Sequence, residues 1–224
     1  MKTLMMNTFA SGKQEHFEHN FGDFDDLYGY IDRVCYRLPD HIREEGGLFL
    51  HIDRNPVDPE LKKYGGLTKW RPIQAFITLT DHYGSESGGL RAVRGFHKEI
   101  DEYFKNNNEN ISGGGEFFRL NSKGHTKLDK RCQHVNAPKG SLVCWDNRLP
   151  HATAQKCVSH DSREVIYVGF LPNIEINKTY VQQQLKHMRK NVSPPAYYEG
   201  DETSDKNWNE DELSGLQKKL FGIK

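Results

Sequence analysis

With 224 residues the chain is long enough for one compact domain that buries roughly 70% of its unfolded surface, and one domain covering 1–224 is expected. Thirty-one Lys+Arg balance thirty-one Asp+Glu, so no global field favours a phosphate backbone or an anionic membrane, and nucleic acid is not an expected partner. The longest apolar run, Val165 to Leu171, is seven residues against the ~20 of a membrane helix, which excludes a helical span.

Residues 1 to 20 are polar and aperiodic. A signal peptide is not expected there, because Leu4, Met5 and Met6 are too few for an apolar core. From Phe24 to Leu38, apolar residues at Phe24, Leu27, Tyr28, Ile31, Val34, Cys35 and Leu38 recur at helical spacing, which predicts an amphipathic helix ending before Pro39. Short runs of strand character follow at Leu48 to Ile52, Pro72 to Thr80, Gly89 to Val93, Ser141 to Trp145 and Glu164 to Leu171. Several strands without long intervening helices argue for a β-rich sandwich, barrel or jelly roll. Two polar insertions, Asn55 to Lys69 and Lys105 to Arg131, are read as lids or disordered loops. After Pro172 the pattern turns helical at Tyr180 to Arg189 and again at Glu212 to Phe221, closed by Gly222.

The four cysteines, Cys35, Cys132, Cys144 and Cys157, form no CxxC pair and read as thiols in a reducing compartment, so the protein is expected in the cytoplasm. Cys144 and Trp145 read as core.

The chemistry begins at His51 and Asp53. Residues two apart on a strand share a face, so an imidazole and a carboxylate can there grip one metal ion. A third ligand comes from GSLVCWDNRLPHATA, where a strand and a turn deliver His151, with Thr153 two residues beyond on the same face. Arg163 opens the next apolar strand, twelve residues after His151. Two histidines and one carboxylate on neighbouring strands make the facial triad of non-haem Fe(II) oxygenases. An arginine pointing into a β core needs a carboxylate, and a dicarboxylate co-substrate would supply one by a bidentate pair. His97 is the rival third ligand, though its turn setting assigns it to main-chain carbonyls. His82, His125, His134 and His160 lie in polar loops and read as solvated, and Tyr197 and Tyr198 read as anchors of the C-terminal segment.

The ordered set HID at 51–53, WRPIQAFITLTD, ESGGLRAVRGFHKE and GSLVCWDNRLPHATA with Arg163 resembles the phytanoyl-CoA dioxygenase group of Fe(II)/2-oxoglutarate oxygenases over about Gly47 to Leu171. The resemblance implies a mostly β fold, a double-stranded β-helix (jelly roll) with its core at about 47–171, supporting helices at both ends and a C-terminal helical extension at about 174–224. It implies that His51, Asp53 and His151 bind Fe(II) and that Arg163 and Thr153 hold the distal carboxylate of 2-oxoglutarate. Phe76 falls where the group often carries an aromatic beside the co-substrate, and Gln74 and Thr78 share its strand face as weaker candidates. The implied activity is O₂-dependent hydroxylation of a small molecule or side chain, with 2-oxoglutarate converted to succinate and CO₂. Phe96 stands where a serine is common in the group, and few residues precede His51, so phytanoyl-CoA itself is not the expected substrate. Two other readings stay open: a non-catalytic metal-binding β-barrel, and a cupin-like metal-dependent isomerase or hydrolase. Arg163 discriminates against the last, which needs no dicarboxylate clamp.

Overall fold

Alternation decides the central strand. In β4 (Ile73–Thr78) the side chains of Gln74, Phe76 and Thr78 are buried while those between them are half-buried, the period-2 pattern of a strand with one face on the core. The computed structural model describes residues 27–43, 47–53, 69–107, 118–120, 125–158, 161–194 and 208–223. Residues 1–26, most of the 55–69 insertion, residues 108–117, His160, Tyr197 and Tyr198 lie outside them.

Most elements are antiparallel strands: β1 (Leu27–Tyr30), β2 (Val34–Arg37), β3 (His51–Ile52), β4, β5 (Leu90–Ala92), β6 (Phe118–Arg119), β7 (Gln133–His134), β8 (Leu142–Asp146), β9 (His151–Thr153) and β10 (Arg163–Pro172). The helices are α1 (Ile100–Asn106), α2 (Thr126–Asp129), α3 (Glu175–Arg189) and α4 (Gly215–Leu220). The expected mostly β class with helices near the C-terminal end is present. The expected helix at 24–38 is not: its described part forms β1 and β2, each antiparallel to β10, with a break at 31–33. The same apolar spacing serves two short strands, and pairing with β10 satisfies their main-chain groups.

The chain divides into two compact units. In the first, β4 lies between β8 and β10 and β2 pairs with β10, while a second sheet runs β6-β3-β9-β5-β7. One hydrophobic cluster takes residues from both sheets, Phe76, Val143 and Val165 from one and Ile52, Leu90 and Ala152 from the other, so the sheets enclose a shared core. Phe96 belongs to that core, fully buried against the ring of Tyr103 at 5.1 Å, rather than to a pocket rim. Within the second insertion, the end of α1, β6 and α2 are formed, and the core contacts of Phe118 and Leu128 explain why the segment is not wholly irregular.

The second unit contains β1, the last residues of β10, α3 and α4. Gln184 of α3 accepts from Ile31 N–H at 2.9 Å and donates to Gly29 C=O at 3.0 Å, satisfying the strand edge as another strand would. Tyr30, Leu171, Tyr180 and Val181 form its own small core. α4 opens with a capping box between Ser214 and Gln217. No helix among the described residues is long and apolar enough to cross a membrane.

Candidate metal centre

Strand register builds the site. His51 of β3 lies directly opposite His151 of β9, which places their rings 4.3 Å apart. Asp53 follows just past the end of β3, tied down by its N–H donating to Asn147 C=O at 3.2 Å. The three side chains each offer a ligand atom within 4.8 Å of the others, the single such group of three among the described residues, and His97 is not in it. His51 Nε2 lies 3.6 Å from Asp53 Oδ1 and His151 Nε2 lies 3.7 Å from Asp53 Oδ2.

The imidazoles are oriented by their far nitrogens. His51 Nδ1 is 2.9 Å from Phe49 C=O, and His151 Nδ1 is 2.9 Å from Leu149 C=O. A carbonyl only accepts, so in the neutral ring Nδ1 carries the proton and the lone pair sits on Nε2, the atom turned toward Asp53. A metal ligand is held in this way by its outer hydrogen bond. Asp53 has an orienting partner too: Gln74 Nε2 donates to its Oδ2. The Trp145 ring stands 5.2 Å from that of His151 and covers one side. Two imidazole nitrogens and a carboxylate on converging strands suit Fe(II), Zn(II) or a similar divalent ion and leave further positions open.

The second feature is Arg163, at the start of β10 and 1% exposed. Its Nη1 donates to Cys35 Sγ at 3.0 Å, and its guanidinium carbon stands 5.7 Å from the centre of the Phe76 ring. Its Nε and Nη2 are buried with no hydrogen-bond partner among the described residues. A buried cation with two orphaned donor atoms is costly unless an anion joins it, so the arrangement fits a carboxylate ligand. His82 lies close enough that the arginine's charge, together with the larger effect of burial, pushes its pKa down to about 4. Gly88 packs beside it: its φ is +69°, and a Cβ there would crowd Cys157 Sγ at 3.0 Å and touch Arg163 Cδ at 3.5 Å.

Among the other expected contacts, Gln74 joins Asp53 and Phe76 lies beside Arg163, both from the buried face of β4. Thr78 is on that face, but its hydroxyl serves the main chain, donating to Pro138 C=O at 2.6 Å and accepting from Ser141 N–H at 2.9 Å. Thr153 accepts from Leu48 N–H at 2.7 Å and stands in the sheet of the histidines, while Arg163 stands in the other. Arg148 is held by Asp146 at 2.7 Å.

Two histidines read as solvated are buried. His82, 1% exposed, sits in a bridge with Ala137, and His125, 2% exposed, meets the Tyr103 hydroxyl at 2.7 Å. His134 is exposed as expected. Cys35 and His82, the neighbours of Arg163, carried no sequence signal, because both reach it only through long-range pairing.

The model of the Gig2-like family matches residues 70–220. The chain belongs to the Gig2-like family. The phytanoyl-CoA dioxygenase group is not the family matched. Comparison with curated proteins finds no match. Among solved structures, the GlcNAc inducible gene 2 protein of Candida albicans is 16% identical, with a TM-score of 0.60 over 89% of this chain and 61% of that one. A protein described as a candidate oxidoreductase from Salmonella typhimurium LT2 is also 16% identical, with a TM-score of 0.70 over 88% and 57% respectively. The hypothetical protein JW0805 of Escherichia coli is 18% identical, with a TM-score of 0.69 over 97% and 63%. These likenesses show a shared fold, and this chain spans about six-tenths of the length of each.

Proposed function

We propose that this Gig2-like protein is an Fe(II)- and 2-oxoglutarate-dependent oxygenase of the double-stranded β-helix type that hydroxylates a small molecule or a side chain. The observation that carries the reading is the pairing, in one unit, of a two-histidine, one-carboxylate cluster with a fully buried arginine that has no anion among the described residues. A metal-binding barrel without activity, or a cupin-like isomerase or hydrolase, would account for the first feature and not the second. The unbridged thiols of all four cysteines suit a reducing, cytoplasmic setting.

His51, Asp53 and His151 would hold the iron, and Arg163 the distal carboxylate of 2-oxoglutarate, with Thr153 as a lesser polar neighbour. When bound, Fe(II) with 2-oxoglutarate and O₂ supplies oxidative decarboxylation to succinate and CO₂ coupled to oxygenation of a C–H bond. The chain's own contribution is positioning. The Phe49 and Leu149 carbonyls fix the two imidazoles, and the Gln74 amide fixes the carboxylate. Gln74 and Phe76, two apart on β4, link the triad to the arginine across a strand step of about 6.6 Å, which suits a five-carbon dicarboxylate. The rings of Phe76 and Trp145, 5.6 Å apart, lay apolar surface beside Arg163 and His151 respectively.

The test is succinate formation from 2-oxoglutarate by the Fe(II)-loaded protein under O₂, followed by a metabolite screen for compounds that accelerate it. Succinate that requires both His151 and Arg163 supports the proposal. Stoichiometric iron and 2-oxoglutarate binding with no succinate under any added compound would make it a binding module.

A further inference from the structure

We propose that Cys35 is a peroxide-sensitive modification site that switches off the anion seat of Arg163, an inference resting on the co-substrate role given to Arg163 above. The sulfur is the group to which the guanidinium donates, at 3.0 Å, although the two residues are 128 apart in sequence. Arg163 is 1% exposed, and its Nε and Nη2 lack partners among the described residues. Among the described residues, the one hydrogen bond made by this buried guanidinium therefore points at a thiol. Cys35 itself is half-buried on β2, between Val34 and Tyr36, which are 70% and 62% exposed. Partly exposed and next to a positive charge, it has the surroundings in which thiols react with oxidants. The other cysteines differ: Cys144 and Cys157 are buried, and burial pushes the Cys132 and Cys144 thiols up to about 11.

The chemistry needs only hydrogen peroxide. The sulfur attacks one peroxide oxygen, an S–O bond forms as the O–O bond breaks, and water leaves with the thiol proton, giving a sulfenic acid. A second peroxide repeats the step to the sulfinic acid, which ionises at neutral pH. Sulfur is oxidised and peroxide reduced at each step. The product is a tethered anion with two oxygens beside a guanidinium, and it takes the bidentate partnership a carboxylate ligand would otherwise use. Formation of sulfinate at Cys35 and binding of 2-oxoglutarate are then mutually exclusive.

The experiment uses the full chain loaded with Zn(II), which does not react with peroxide. Hydrogen peroxide is added with and without saturating 2-oxoglutarate, Cys35 is followed by peptide mass spectrometry, and 2-oxoglutarate binding is measured by calorimetry. The expected result is two oxygens added at Cys35, at least a tenfold loss of 2-oxoglutarate affinity, and slower oxidation when 2-oxoglutarate is present. In Cys35→Ala, whatever its starting affinity, peroxide should leave binding unchanged. Oxidised Cys35 with unaltered affinity would overturn the switch, as would an equal loss in Cys35→Ala, a disulfide from Cys35, or oxidation of Cys132 before Cys35. Failure of the unmodified protein to bind 2-oxoglutarate would instead overturn the proposed function, and the switch with it.

Discussion

Replacing Arg163 by methionine should stabilise the protein when no co-substrate is present, the reverse of what removal of a buried, structurally paired arginine does. Two buried donor atoms, Nε and Nη2, lack partners among the described residues, and each such atom costs about 1–3 kcal/mol. Against this, the variant loses the bond to Cys35 Sγ, worth about 0.5–1.5 kcal/mol. It also loses the approach to the Phe76 ring, worth about 0.5–2 kcal/mol. Methionine keeps most of the side chain's apolar stem, so little cavity is created. The balance is a gain of roughly 1–3 kcal/mol in the unfolding free energy of Arg163→Met, read from urea denaturation at constant m-value. The same measurement with 2-oxoglutarate at a hundred times its Kd should raise the stability of the unmodified protein by about 2.7 kcal/mol and leave the variant unmoved. A variant destabilised by more than about 1 kcal/mol would refute the reasoning, because removing one partner of a satisfied buried pair has that effect.

Other consequences are testable on purified protein. His51→Ala and His151→Ala, each removing one ligand atom of the cluster, should lose stoichiometric iron by metal analysis while circular dichroism stays native, and the double variant should show it most cleanly. Gln74→Leu, which frees Asp53 Oδ2 of its donor, should weaken Co(II) affinity about 10- to 100-fold in an optical titration without abolishing it. Burial, aided by the charge of Arg163, holds His82 at a pKa of about 4 against an ordinary 6.5, so the unfolded chain binds its proton first as pH falls. Its contribution is whole above pH 6.5 and is lost between 6.5 and 4, roughly 2–4 kcal/mol over the window. His82→Phe should flatten that part of the stability curve, as urea melts at several pH values would show.

Local pattern and long-range pairing contributed differently to what could be read. The period-2 face of Gln74, Phe76 and Thr78 and the two-residue step from His51 to Asp53 are local, and both appear in the fold where the sequence puts them. The segment from Phe24 is the opposite case: its apolar spacing suits a helix or two strands, and β10, more than 130 residues later, decides for strands through the register of Tyr28 with Leu171 and Cys35 with Val165. His82 sits among polar residues, yet paired hydrogen bonds with Ala137 at 2.9 Å draw it inward, which no window of local sequence records. Of the lesser candidates, Thr78 shows why a shared face is not a shared role, since its hydroxyl is consumed by the 138–141 turn.

The central claim is that one divalent ion and one dicarboxylate meet in this unit on His51, Asp53, His151 and Arg163. A crystal structure grown without oxygen, with Fe(II) and 2-oxoglutarate bound, tests it most directly. The account predicts iron at ligand distance from both Nε2 atoms and from the Asp53 carboxylate, with the far carboxylate of 2-oxoglutarate paired to the Arg163 guanidinium. Iron held elsewhere, or a guanidinium that keeps only protein partners while 2-oxoglutarate binds at another place, would contradict it.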